Sequence, residues 1–167
     1  MRLLHFNLVI KGAGHHPAAW RHAESRPEQL FDLRHYVRLA QRAEAAQLDS
    51  ILIPDRLANP HYLSSQVLGG LEPFTLLSAV AVHTERIGLI ATASTAYNQP
   101  YHVARKLAAL DHISQGRAAW NIKIAGSEAE SLNFGQSTPQ DAATLLRRAD
   151  EFVRVTRDLF DLSLIHI

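Results

Sequence analysis

Apolar positions along this chain alternate between short continuous runs and stretches at helical spacing. Leu3 to Ile10 is the first run, bounded by Gly12 and Gly14, and predicts a buried strand. After a polar loop from Lys11 to Glu28, Leu30, Leu33, Val37, Ala40 and Ala43 recur every three or four residues, which predicts a helix over Gln29 to Ala46. Ile51 to Ile53 is a short apolar strand ended by Pro54-Asp55. A long loop, Arg56 to Leu71, carries Asn59-Pro60 and Gly69-Gly70, and a helix from Pro73 to Val82 places proline in its first turn. Ile87 to Ala91 is the third strand, apolar on both faces as parallel strands covered by helices are. Thr92 to Gln99 is predicted as a polar loop. Pro100 opens the next helix, with Val103, Leu107, Leu110 and Ile113 as its buried stripe and Gly116 after its end. Arg117 to Ile122 is a fourth strand, Lys123 to Gln140 a loop, and Ala142 to Phe160 the last helix.

The order is strand then helix, four times over. Strand-to-helix connections are long and polar, and the returns are short. That asymmetry suits a (β/α) barrel, whose loops at the C-terminal strand ends carry function. Such a barrel needs eight units and ~250 residues. A chain of 167 residues therefore predicts an α/β fold of about four parallel βα units, the N-terminal half of a TIM (β/α)8 barrel, with a small open sheet as the alternative. Residues 1–161 are expected to form that part. The end, Leu162 to Ile167, resembles translated sequencing-adapter DNA and is expected to be a non-native tail; a natural apolar tail is the plainer reading.

Composition narrows the function classes. Hydrophobic residues make up 47% of the chain, enough for a core. Lys and Arg number 17 against 16 Asp and Glu, which gives no electrostatic case for nucleic acid or an anionic membrane. Cysteine is absent, which removes thiolate catalysis and Cys-containing metal sites. No apolar run approaches a membrane span of ~20 residues, and the expected location is cytoplasmic.

Candidate chemistry lies at the strand ends. Asp55 follows the second strand, where a carboxylate can accept hydrogen bonds from a ligand or simply hold a turn. Thr92, Ser94 and Thr95 follow the third, where small hydroxyl residues allow a ligand close to the backbone or cap turns. Asn121 is near the end of the fourth. Gly12-Ala13-Gly14-His15-His16 is neither a dinucleotide fingerprint nor a P-loop. His15, His16 and His22 lack a carboxylate at ligand spacing, so no metal site is expected; they either line a pocket or are solvated. Trp20, in a loop, anchors that loop or walls a cavity. Trp120, in a strand, is expected in the core.

In combination these segments are more specific. Gly14-His15-His16-Pro-Ala-Ala-Trp20-Arg21-His22 followed by Ile51-Leu-Ile-Pro-Asp55, then Thr84-Glu-Arg-Ile-Gly-Leu-Ile-Ala-Thr92-Ala-Ser-Thr95, form one ordered set. Tyr101-His-Val-Ala-Arg105-Lys, Leu110-Asp-His-Ile-Ser-Gln-Gly116-Arg-Ala-Ala-Trp120-Asn121 and Asn133-Phe134-Gly135 continue it. The set resembles the nitrilotriacetate monooxygenase component A family, within the bacterial luciferase-like, FMN-dependent monooxygenase superfamily. The resemblance runs from Met1 to about Asp161.

The resemblance implies a TIM barrel that binds reduced FMN at its mouth, a separate NAD(P)H-dependent flavin reductase that supplies it, and O2 as co-substrate. It implies oxygenation of a small organic substrate, often with cleavage of a C–N or C–S bond. Asp55 and Thr92 match family flavin contacts; catalytic residues are not identified. The family's His and Tyr before the Arg148-Ala-Asp150-Glu-Phe152 segment are here Ala142 and Leu146, and its Val-Thr-Ser after Trp120-Asn121 is Lys123-Ile124-Ala125. A deazaflavin-dependent oxidoreductase and a catalytically inactive truncated form are the alternatives. Open strand edges are expected to make the isolated chain self-associate, with a homo-oligomer as one outcome.

Overall fold

The computed structural model describes residues 4–16, 18–58, 70–124 and 126–162. Its strands are β1 (Asn7–Val9), β2 (Ser50–Ile53), β3 (Gly88–Ser94) and β4 (Ala118–Lys123). Its α-helices are α1 (Leu33–Ala45), α2 (Pro73–Ala81), α3 (Pro100–Ser114), α4 (Glu128–Asn133) and α5 (Ala142–Leu162). The sheet order is β1-β2-β3-β4 and every pairing is parallel. Four βα units in sequential order make half of a (β/α)8 barrel.

One apolar cluster fixes which side the helices take. Ile51, Ile53, Leu89, Ala91 and Ala93, alternate positions of β2 and β3, are buried in it. Tyr36 and Ala40 of α1, Leu77 and Val80 of α2, Val103 and Leu110 of α3 and Phe152 of α5 complete it. All these helices therefore cover a single face of the sheet. The intervening strand positions, among them Leu52, Ile90, Thr92, Asn121 and Lys123, turn to the other face, the interior of a closed barrel.

Local signals set the helix ends. Glu72 caps α2 by accepting from the backbone N–H groups of Phe74 and Thr75, and Asp32 caps α1 through Arg34 N–H. Proline occupies the first turn of both α2 and α3. At the end of α3, Gln115 takes the left-handed conformation with φ 57°, and Gly116 follows.

At the end opposite the C-terminal strand tips, two side chains tie the turns down. The Arg117 guanidinium donates to the carbonyl oxygens of Ala81, Thr84, Ile87 and Ser114 and to the Thr84 hydroxyl. Glu44 accepts from the backbone N–H groups of Glu85, Arg86 and Ile87. Burial would raise the Glu44 pKa, but these bonds and the nearby Arg86 charge hold it below the ordinary carboxylate value.

Several expected boundaries shift. Leu3 to Ile10 is not a buried strand throughout: β1 spans only Asn7–Val9, Leu4 and Phe6 are exposed, and Leu3 lies outside the described residues. β1 is the sheet edge, and Asp49 holds the preceding turn by bonding His5 and the Phe6 N–H. The first helix begins at Leu33, not Gln29, because Pro27–Gln29 forms a separate 3-10 turn. Thr92 to Ser94 extend β3 instead of opening a loop. Lys123 to Gln140 is not all loop: Lys123 closes β4, and α4 lies within the span. Ile113 is 45% exposed and leaves the buried stripe of α3. Trp120 is half-buried: its indole N–H bonds the Ala93 carbonyl, and its ring lies against Phe152 beneath α5. Asn59-Pro60, Gly69 and 163–167 of the expected tail lie outside the described residues, whereas Leu162 is the last residue of α5.

Candidate active site

Parallel strands deliver their C-terminal residues to one rim. Register sets Thr92 beside Asn121 and Ser94 beside Lys123. The Asn121 side-chain amide donates to the Thr92 hydroxyl at 3.0 Å. Thr92 is 3% exposed. A hydroxyl also carries one proton to give, and among the described residues the Thr92 proton has no acceptor. Asp55 lies just beyond β2 at the same end. Lys123 Nζ reaches its backbone carbonyl at 3.4 Å and bonds Glu130 at 2.5 Å. The structure thus brings Thr92 and Asn121 into contact and ties Asp55 to β4 through Lys123.

Burial pushes the Asp55 carboxyl above the ordinary aspartate value; the Lys123 charge opposes this, and Glu72 and Glu130 add to it. Glu130 behaves oppositely. Burial would raise it, but bonds from Lys123 and from the N–H groups of Ser127 and Leu57 hold it low. Asn133 also donates to the Leu57 carbonyl at 2.8 Å. The loop after β2 is therefore fastened to α4 across the mouth of the half barrel.

Sequence reasoning noted Lys123 only as a departure from the family's pattern and did not single out Glu130, though a signal existed. Ser127 and Glu130 have the S-x-x-E spacing of a capping box, and both of its bonds form at the start of α4. Tyr97, stacked on Phe134 at 4.4 Å and bonded to Ser131, seals this corner. A Cβ at position 126 would lie 2.5 Å from the Tyr97 hydroxyl oxygen, so a larger residue there would displace the tyrosine ring.

A cleft of about 350 Å³ opens between the loops after β1 and β2. His15, His16, Trp20, Tyr36, Asp55 and Arg56 are among the residues around it; Thr92 and Asn121 are not. Gly14 shapes the first loop: its φ of +119° and a site for Cβ only 2.8 Å from that of Ala19 exclude larger residues. His16 Nδ1 accepts from the Ala18 N–H, and His15 Nε2 lies 3.4 Å from the Val9 carbonyl. Pro17 lies outside the described residues. No cluster of three or more metal-ligating side chains occurs among the described residues.

Ala142 and Leu146 open α5, where both are exposed. Two turns on, Arg148 donates to the carbonyls of Thr95 and Asn98, binding α5 to the loop after β3.

Residues 5–163 match the family of luciferase-like monooxygenases. The chain belongs to that family. It is 41% identical over 154 residues to N-acetyl-S-(2-succino)cysteine monooxygenase of Bacillus subtilis, a match covering 92% of this chain and 35% of the relative. It is 34% identical over 170 residues to nitrilotriacetate monooxygenase component A of Aminobacter aminovorans, covering 95% and 38%. Among solved structures, EDTA monooxygenase from Chelativorans sp. BNC1 superposes with a TM-score of 0.86 at 27% identity, covering 95% of this chain and 38% of that one. A riboflavin lyase solved with modified FMN and riboflavin gives 0.84 at 28% identity, with the same coverage. The chain spans about 35–38% of the length of the two curated relatives.

Proposed function

We infer that this chain contributes the flavin-binding rim of an FMN-dependent, two-component monooxygenase located in the cytoplasm. Its parent takes reduced FMN from a separate NAD(P)H-dependent flavin reductase and uses O2 to oxygenate a small organic substrate, with C–N or C–S cleavage as the expected outcome. Residues 1–161 form the barrel part. The observation that carries this reading is the buried Thr92 hydroxyl, held by the half-buried Asn121 amide at the strand tips.

The residues present fit such a cofactor. Asn121 fixes the Thr92 hydroxyl by donating to it, which leaves a positioned donor facing the barrel interior. Asp55 offers a half-buried acceptor at the same end. A flavin ring needs both kinds of group. Bound reduced FMN supplies the electrons that activate O2. The protein's own share is to hold the ring and keep water away. Lys123 and Glu130 serve the second task by closing the β2 loop onto α4.

The test is titration of FMN, followed by quenching of its fluorescence. Thr92→Val, which keeps shape and loses the hydroxyl, is expected to weaken binding about tenfold, the cost of one buried hydrogen bond. Equal affinity for the variant and the parent chain would reject the site. Substrate-dependent O2 consumption by the 167 residues with FMN, NADH and a reductase is expected to stay at the peroxide-forming background, and clear turnover above it would refute the idea that the remaining barrel is required.

A further inference from the structure

We propose that Lys123 is a positioning residue for this rim: anchored on Glu130, its side chain crosses the tip of β3 and sets where the Asp55 carboxyl is presented. That the carboxyl so placed meets a flavin rests on the reading above.

The sheet itself does not hold Asp55. The last pair of the β2 ladder is Ile53 with Ala91, and Pro54 has no N–H to continue it. β3 and β4 run on together as far as Ser94 and Lys123. The segment carrying Asp55 thus leaves the ladder while its neighbours go on to the rim. Lys123 makes the missing connection. Neighbouring strands lie about 4.8 Å apart, so β4 and β2 are roughly 10 Å apart across β3. The Lys123 side chain spans that gap and brings Nζ to 3.4 Å from the Asp55 carbonyl oxygen. The β3 residue paired with Lys123 is the small and fully buried Ser94, which leaves room for the crossing.

Glu130 makes the crossing rigid. Its carboxylate is 6% exposed, and one oxygen accepts both Lys123 Nζ at 2.5 Å and the Leu57 N–H at 3.2 Å. The other oxygen accepts the Ser127 N–H at the start of α4. The loop is therefore gripped at Asp55 and again two residues later, from β4 and from α4. An apolar side chain at position 123 could make neither of its two bonds.

Charge gives the lysine a second effect on the same residue. Glu72, ahead of α2, and Glu130 of α4 both disfavour ionisation of Asp55. Lys11, His15 and His16 from the loop after β1 line the same cleft, as does Arg56 from its own loop. Burial is the largest influence and favours the neutral carboxyl, and the Lys123 charge opposes it. Lys123 thus governs both the place of this acceptor and the pH range in which it is charged.

Carbon NMR of the chain labelled at its aspartate carboxyl carbons tests this without any ligand, with the Asp55 signal assigned by its loss in Asp55→Asn. The variants are Lys123→Arg, Lys123→Met and Lys123→Met combined with Glu130→Gln. The double variant is needed because a lone Glu130 charge would be stranded in a buried site. The Asp55 titration midpoint is expected to move to higher pH in Lys123→Met and in the double variant, and to stay near that of the parent chain in Lys123→Arg. Fluorescence titration of FMN on the same proteins is expected to show affinity about fivefold weaker in the double variant, roughly the worth of one hydrogen bond. An Asp55 midpoint that is the same in the parent chain and the double variant overturns the proposal. So does a Lys123→Arg midpoint that matches the double variant, since the lysine would then act only as packing. If the midpoints move as expected while FMN affinity is equal in every variant, Lys123 positions Asp55 and the flavin reading fails. If they do not move while Asp55→Asn weakens FMN binding, the role of Lys123 fails and the flavin reading stands.

Discussion

Asp55 shows how one side chain sets binding against stability. Its carboxyl is half-buried, and burial raises its pKa above the ordinary aspartate value of about 3.9. A raised carboxyl pKa means that the folded state holds the proton more tightly than the unfolded chain. Its stabilising contribution is complete below the ordinary value and is lost as pH rises through the folded one. Above that folded value the protein carries a charge that its surroundings disfavour. Asp55→Asn is expected to raise the thermal midpoint at pH 7 and to have a smaller effect at pH 3.5, where the carboxyl is mostly protonated in both states. Circular dichroism melts at the two pH values check this, and a lower midpoint at pH 7 would contradict it. The same variant is expected to bind FMN more weakly, since it loses the acceptor charge.

Helix α4 makes the corresponding point for an element. Six residues cannot form a stable helix alone, so its caps and contacts decide whether it exists. Ser127→Ala removes the acceptor for the Glu130 N–H and is expected to cost about 1 kcal/mol. Urea unfolding measures it. If the loss is local, hydrogen exchange in α4 rises more than exchange in β3. The large elements were legible in the sequence because their apolar periods are long and repeated. The stripe of α1 and the continuous run of β3 are examples. α4 was missed because two turns give too few repeats for a period, although its capping box was readable. β1 was overestimated for a different reason: an apolar run looks the same in a central strand and at a sheet edge. Within the site, Asp55, Thr92 and Asn121 were visible as polar residues at strand ends. The Lys123–Glu130 pair depends on a β4 side chain reaching both α4 and the β2 loop, which no local pattern encodes.

On the scale of the whole molecule, the sheet has two open edges among the described residues, since β1 and β4 each pair there on one side only. A closed barrel has none, and unpaired edges template association. Purified chain is expected to associate as its concentration rises in size-exclusion chromatography with light scattering. Val9→Lys, at an exposed position of the edge strand, is expected to reduce that association. A monodisperse monomer that unfolds cooperatively would contradict it. The two ends of the sheet also divide their work, with the candidate site at one end and the Arg117 and Glu44 ties at the other. Those ties affect the order of events during synthesis. Arg117 follows Ala81, one of its acceptors, by 36 residues. The turn between α2 and β3 thus leaves the ribosome with its carbonyls unanswered, and it waits roughly 2–7 s, at 5–20 residues per second, for the guanidinium that completes it. The third βα unit therefore reaches its final form only after the first residue leading into β4 has been made, which makes folding here a matter of pairs of units, not of single ones.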